Sequence, residues 1–544
     1  MTVIRSLVLL TPLAFLASPV AAQCTVQKLV DPIGGFAEHF GDRFVLAGDE
    51  LFAGAPNHDG PFGVQQGAVL RWVRSGGTWT LTETIHANQN TSNTQFGWGV
   101  ALAGDHLLVG AYADNDAGTI AGAVHAFERG PSGFVYHQKL VGSSASAFEY
   151  AGYAVAADRD WVVIGATDLG DAFDLGKVWV FRFENGAWIE KQELAPGDPT
   201  VARHFGEAVD IDDDRIVVGA PASAPSGELW TGAAYVFEFV GGVWTQTAQL
   251  GAQDPESFDG FARSVALDGD RILCGATGND ENGVQSGSVY VFDYAGGAWQ
   301  QSTKLVASDA QQGDLFGASV GLQGDLAVIG APWDDDGAMT AGAGYLFVKG
   351  TGGWEQSARF TAPDPQADHQ FGHWVALDGG TVALSAVRDA TWGIQSGADY
   401  VFEIGGEATN TCVSEPNSTG VAAEITYTGS LSTGANTFTL HAQNLPPNKQ
   451  GVFFYGPVSA QVPFGNGWAC VLGGSIGVFR LNPSAPADTN GHLSRHVDFT
   501  VAPAGSGPGT IAPGSTWYFQ CWYRDPGVGA GYDLTDGLRV VFCP

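Results

Sequence analysis

The residues with the most chemistry to offer are carboxylates in short runs. The densest are Asp114-Asn115-Asp116, Asp168 with Asp171 and Asp174, Asp280-Glu281 and Asp334-Asp335-Asp336, with Tyr112, Phe173, Trp230, Trp333 and Trp392 among them. Clustered carboxylates can hold a divalent cation, meet a cationic protein patch or, in pairs, cleave glycosidic bonds by acid–base chemistry. Spread over a surface, they keep an exported protein soluble. Four histidines flank repeated Phe-Gly pairs: His39, His204 and His369 on the near side and His373 beyond Gly372. Gln95, Gln370 and Leu315 stand directly before the Phe in other copies, so that position reads as a polar filler of a turn rather than a catalytic base. No nucleophile elbow, phosphate loop or metal-ligand spacing is written in the chain.

The elements that would position these groups follow from a repeat. Phe-Gly-x-x-Val, with two degenerate copies, starts at 40, 96, 151, 205, 261, 316 and 371, a step of 54 to 56 residues. A second marker, Gly67, Gly122, Gly176, Gly232, Gly287, Gly342 and Gly397, keeps that step, and so does an aromatic at Trp79, Phe134, Trp188, Trp244, Trp299 and Trp354. Each unit reads as four short strands, the first two joined by a tight Gly-Asp turn such as Gly48-Asp49 or Gly269-Asp270. Four antiparallel strands repeated seven times predict an all-β fold, a seven-bladed β-propeller. The seventh unit stops after Phe402 without a fourth strand. Cys24 to Leu29 resembles the end of a fourth strand and is expected to close the last blade, which removes the open edges.

Phe-Gly at the unit's start and Gly-Ala-Pro after the second strand (Gly54-Ala55-Pro56, Gly219-Ala220-Pro221, Gly330-Ala331-Pro332) resemble FG-GAP repeats, those of the integrin α-subunit propeller and of many bacterial surface proteins. The resemblance covers Phe40 to Phe402 and implies extracellular binding or adhesion. Several blades of that family carry an Asp-rich calcium loop between strands one and two. Here that connection is a bare two-residue turn, too short for six to eight oxygen ligands, and Asp210, Asp212, Asp213 and Asp214 come nearest to one. No cofactor is therefore implied, although calcium held between adjacent loops is compatible with the carboxylates.

The ends and the composition set the context. Arg5, the apolar Leu7 to Leu16 and the small residues to Ala22 read as a signal peptide over 1–22, and no later run is long enough for a membrane helix. The propeller is then expected over 23–407 and a small antiparallel β-sandwich over 408–544. Pro463-Phe464-Gly465, Trp522 to Pro526 and Phe542-Cys543-Pro544 resemble a C-terminal module of secreted bacterial proteins. With 57 acidic against 24 basic residues and a formal charge of −33, nucleic acid and anionic membrane are poor partners. Export permits disulfides among Cys24, Cys412, Cys470, Cys521 and Cys543, and a Cys24–Cys412 bond would lock the ring; Cys274, in a central strand, reads as a buried free thiol. Asn90-Thr91-Ser92 and Asn417-Ser418-Thr419 match glycosylation acceptors.

The expected function is that of a secreted, non-enzymatic protein that binds an extracellular protein or glycan. Its face would be the one with long loops, carrying Asp114, Asp116, Asp280, Glu281, Trp333, Asp334, Asp335, Asp336 and Trp392. A secreted hydrolase or lyase acting on polysaccharide, and a structural cell-surface component, are the alternatives. The enzyme would need unlike polar side chains around the axis, where the units read as nearly equivalent.

Overall fold

The computed structural model describes residues 23–542 apart from 33–37, 61–63, 76, 89–92, 168–174, 199–201, 226, 351, 392–394, 405–406, 429–430, 432–435, 437, 513–514 and 528. Residues 1–22, Asn90-Thr91-Ser92, Asp168, Asp171, Phe173, Asp174, Trp392, Cys543 and the side chain of Cys24 lie outside the described residues. Every regular element among those described is a strand, and no helix is long and apolar enough to cross a membrane. The chain divides into two compact units, Gln23–Gly405 and Gly406–Cys543.

The first unit is a β-propeller, and among its described residues there are seven four-stranded antiparallel sheets. Ser264–Asp268, Arg271–Ala276, Ser288–Ala295 and Ala298–Leu305 form one of them. Middle strands such as Arg215–Ala220 and Ala233–Val240 bury an unbroken apolar run between neighbouring sheets, whereas the outermost strand Val243–Leu250 alternates exposed and buried side chains. The turns between first and second strands need a left-handed backbone. Gly48, Gly104, Gly269, Gly324 and Gly379 supply it with φ of 54–58°, and Arg159 and Asp213 adopt it elsewhere.

The two glycine-bearing markers meet in space. Gly67 bridges Phe96, Gly232 bridges Phe261, Gly287 bridges Phe316 and Gly342 bridges Phe371, each in the next sheet, and Gly397 bridges Phe40 across the seam. A Cβ on Gly232 would lie 2.2 Å from the Phe261 carbonyl oxygen, so the close approach requires glycine. The innermost strands touch in cyclic order, Phe44–Ala47 meeting both Phe96–Ala103 and Phe371–Asp378. Gln23–Leu29 pairs antiparallel with Ala398–Ile404 and completes the seventh sheet.

In the six sheets that carry it, the phenylalanine of Phe-Gly or Phe-Ala is fully buried. Phe316 meets third-strand aromatics edge-on, Tyr345 at 5.5 Å and Phe347 at 6.0 Å. Between sheets, glutamines of the fourth strand clasp the backbone of the next aromatic. Gln27 donates to the Trp79 carbonyl at 2.7 Å and accepts from its N–H at 2.8 Å; Gln138 with Trp188 and Gln192 with Trp244 repeat the pair.

The second unit holds a seven-stranded antiparallel sheet, a three-stranded sheet and a hairpin. Phe438 beside the smaller sheet packs on Phe519 and Phe542 of the larger at 5.6 and 5.3 Å. Cys412 is bonded to Cys470, which corrects the expected Cys24–Cys412 lock: Cys412 has its partner within its own unit. Cys521, expected among the bridged cysteines, is a buried free thiol like Cys274. The acceptor Asn417 is buried, and its side-chain amide donates to the Asn444 carbonyl at 2.7 Å, which leaves no room for a glycan.

Candidate functional site

The acidic loops that stood out in the sequence are largely tied into the scaffold. Asp334 is buried and accepts from Tyr345 Oη at 2.7 Å, Arg359 at 2.6 Å and the Asp336 N–H at 3.0 Å. Its neighbours belong to the same framework: Asp336 pairs with Arg359 at 3.3 Å and Asp335 caps the Thr340 N–H at 2.7 Å. Asp114 and Asp116 share Lys139, at 2.5 and 2.6 Å. Burial alone would raise the Asp114 carboxyl, but the His125 ring 3.7 Å away and the bond from Lys139 bring it down to about 2. Asp389 repeats the pattern with Tyr400 and Lys28, at 3.1 and 2.7 Å. Glu281 pairs with Lys304 at 2.6 Å, and Asp280 accepts from the Gln285 N–H at 2.7 Å. Trp333 is 45% exposed.

Each such set joins the loop after the second strand to the third and fourth strands. The sequence carries a signal that was not read from it: Lys139 and Arg359 each lie 25 residues beyond their aspartate. The pairing means that acidity on this face measures scaffold chemistry as much as available charge.

A second group of residues converges where the sequence was expected to be uniform. The cavity along the axis has a volume of about 1060 Å³ and is lined by the residue after every Phe-Gly or its degenerate equivalent: Asp42, Trp98, Tyr153, Glu207, Arg263, Ala318 and His373. The expectation that the units are nearly equivalent at the axis is thereby corrected. The frame repeats, but this one position changes in all seven copies, a signal present in the sequence and masked by the regularity around it. Because it opens the first strand, it lies at the end shared with the long loops, and Asn57, Gln95, Tyr112, Trp333 and Arg388 extend the rim. Deeper in, the wall is mostly apolar, with Val45, Val100, Val155, Val265 and Val375, and Asp210 is an ionisable exception.

The mouth is internally braced. Arg43 lies over the Trp374 ring at 4.1 Å and reaches Tyr153 at 5.4 Å, linking sheets on different sides of the axis. Trp98 packs against Tyr112 at 4.9 Å and Tyr153 at 5.6 Å. Gln95 donates to Asn57 at 2.9 Å. Glu207 is buried between His204 at 3.2 Å and Arg263 at 3.5 Å, and His39 stands 3.7 Å from Asp42. The bond to Asp42 raises the His39 pKa, whereas burial lowers that of His373. Burial also pushes the Tyr112 phenol to about 12 and the Asp210 carboxyl, on the channel wall, to about 7. The histidines preceding Phe-Gly owe their position to the backbone: His39, Gln95, Tyr150, His204, Leu315 and Gln370 share a φ of 54–58° whatever the side chain. His369, buried 3.5 Å from Asp389, belongs to the scaffold.

The strand one–two connections are two-residue turns, as at Gly48-Asp49 between Phe44–Ala47 and Glu50–Ala55, and leave no calcium loop. Asp212 and Asp213 do bring carboxylate oxygens within 4.8 Å of Asp158, but at a partly exposed surface beside Arg159.

A family model described as FG-GAP repeat matches residues 79–127, 188–237, 244–292, 299–347 and 354–402. Each match runs from the fourth strand of one sheet to the third strand of the next. No curated protein matches the chain.

Proposed function

We propose that this chain, which carries five FG-GAP repeats within a β-propeller, is an exported binding protein that takes a glycan into the mouth of its axial channel. Export rests on the signal-like residues 1–22. One observation carries the reading of the site: the single repeat position that differs in every copy is the position that rings the channel mouth. A repeat frame needs the same residue at equivalent positions, so seven unlike side chains there are not required by the fold.

The chemistry of the ring favours a sugar. Trp98, Tyr112, Tyr153 and Trp374 offer aromatic faces, while Asn57, Gln95 and Arg43 offer donors and acceptors at the same depth. Flat apolar faces beside a few fixed polar groups suit the two sides of a pyranose ring. The acidic loops around the mouth, several of them paired internally, would screen anionic polymers and so select neutral or cationic glycans.

The test is titration of the intact protein with neutral oligosaccharides at 50 and 500 mM salt. Binding that persists at high salt and falls at least tenfold in Trp98→Ala, with unchanged melting, is the expected result. Binding lost at high salt and indifferent to Trp98→Ala would point instead to a cationic protein docking on the loop carboxylates. One observation favours a second reading, a polysaccharide-cleaving enzyme: Asp42 and Glu207 each stand beside a histidine at the mouth. Release of reducing ends that is abolished in Glu207→Gln would establish it.

A further inference from the structure

Asp31, Glu38 and His58 are each at least nine-tenths buried, and their ligating atoms lie within 4.8 Å of one another. They fall within one repeat length of the chain and come together at the ring's seam. Asp31 lies two residues beyond the closing strand Gln23–Leu29, Glu38 lies two before the first Phe-Gly, and His58 is in the loop after Glu50–Ala55.

Two of the three break the repeat. Two residues after the last apolar residue of the fourth strand, the other units have Ala87, Gly142, Pro196, Ala252, Ala307 and Ala362, and only the seam has an acid, Asp31. At the position of His58, other units have Asp114, Asn279, Asp334 and Asp389. There the loop carboxylate meets a Lys or Arg of the fourth strand, as in Asp114–Lys139 and Asp334–Arg359. The first sheet has Thr84 where the second has Lys139, and an imidazole where the second has a carboxylate. The repeat's own ion pair has been exchanged for a different donor set.

The imidazole supplies the second observation. His58 is 3% exposed, and neither ring nitrogen has a hydrogen-bond partner. Its Nε2 nevertheless stands 3.2 Å from Asp31 Oδ2, in contact but out of line for a proton to be shared. Two ligands of one tetrahedral ion with bonds of about 2.1 Å lie roughly 3.4 Å apart. A buried nitrogen and a carboxylate oxygen at that spacing, paired by charge but with no aligned hydrogen bond between them, also match the separation of two ligands of one ion. The His86 ring, centred 5.6 Å from that of His58, is a further nitrogen donor beside the cluster.

We propose that Asp31, Glu38 and His58 bind one first-row divalent cation of the zinc class, which fastens the closing strand to the first sheet. An imidazole among carboxylates suits zinc, cobalt or manganese better than calcium or magnesium, which take oxygen alone. Two carboxylates balance the charge of a divalent ion, and the chelate joins both sides of the seam. This site is separate from the channel mouth, and its fate does not depend on what the channel binds.

The test uses the full chain stripped with a chelator and titrated with Co2+, whose visible bands report nitrogen and oxygen ligation. One equivalent should bind with visible bands, be displaced by Zn2+, and raise the melting temperature where Mg2+ does not. Asp31→Ala installs the residue found at this place in four other units, so it keeps the fold; it should weaken Co2+ binding at least 100-fold and abolish the Zn2+-dependent rise. Glu38→Gln should weaken binding as well. Absence of stoichiometric Co2+ bands in the unaltered chain, or binding by Asp31→Ala as tight as before, overturns the proposal. So does a rise in melting on acidification that Asp31→Ala removes while Zn2+ has no effect, since that is the behaviour of a His58–Asp31 ion pair alone.

Discussion

Replacing Asp334 by alanine should damage the scaffold rather than a binding surface. The aspartate is buried, and its loss strands the Tyr345 hydroxyl and the Arg359 guanidinium, bonded to it at 2.7 and 2.6 Å. Removing one partner of a fully buried pair costs about 3–5 kcal/mol. The Arg359 side chain keeps a quarter of its surface exposed and holds Asp309 at 3.1 Å, so about 2–4 kcal/mol is the better range. The propeller unit, Gln23–Gly405, has about 380 residues, and an unfolding entropy of about 2.1 cal/mol/K per residue makes 1 kcal/mol worth roughly 1.2 °C. Asp334→Ala should therefore lower the melting temperature by about 3–5 °C in a calorimetric scan. Asp335→Ala, which removes only an exposed cap on the Thr340 N–H, should move it by about 1 °C or less. The double change Asp334→Ala with Arg359→Met should cost less than the two single changes added together, because no buried charge is left unpaired. Melting of Asp334→Ala within 1 °C of the unaltered chain would refute this account and return Asp334 to the pool of surface charge.

Two further outcomes follow from named groups. Burial holds Asp210 at about 7 and Asp314 and Asp536 at about 6, above the roughly 3.9 of an unfolded aspartate. Between about pH 4 and 7 the folded chain thus keeps protons that the unfolded chain has released, and stability falls as pH rises. Asp114, held at about 2, acts the other way, and its contribution is lost as pH drops from about 4 toward 2. Melting should peak near pH 4 in a fluorimetric scan and decline above it, and a curve that climbs steadily from pH 5 to 8 would contradict it. Replacing Cys412 and Cys470 by serine opens a loop with a sequence separation of 58, which a chain-entropy account values at about 4 kcal/mol. The Gly406–Cys543 unit should melt roughly 10–15 °C lower while the propeller transition stays in place; a shift of both together would be the contrary result.

The propeller was legible because its framework is local and repeated. Phe-Gly and the glycine before the third strand stand out at a constant step because they touch each other, and the bridge between Gly232 and Phe261 admits no side chain. The Gly-Asp turns announced themselves through the left-handed backbone they require. The side-chain pairs were harder to see. Lys139 and Arg359 look like ordinary surface charge until the fold brings them to Asp114 and Asp334, so the loop acids read as free when they are not. The disulfide was illegible for a different reason. Cysteine spacing carries no pairing information of its own, and the bond between Cys412 and Cys470 depends on which strands of the C-terminal unit become neighbours.

The mouth residues and the seam cluster escaped notice for the opposite reason from the one that made the fold visible. A search for repeats rewards sameness, and both sites are built from departures. Asp42, Trp98, Tyr153, Glu207, Arg263 and His373 occupy one position in six dresses, and Asp31 is an acid where every other unit is small or apolar. In a ring of equivalent sheets, packing explains whatever recurs, since equivalent neighbours impose equivalent demands. A polar residue that appears once, in a buried or axial place where its counterparts are different, satisfies no demand the ring makes on all its members. Internal repetition therefore acts as a built-in control within a single chain: what the seven copies share belongs to the fold, and the polar singletons at the axis and the seam are where its chemistry is to be sought.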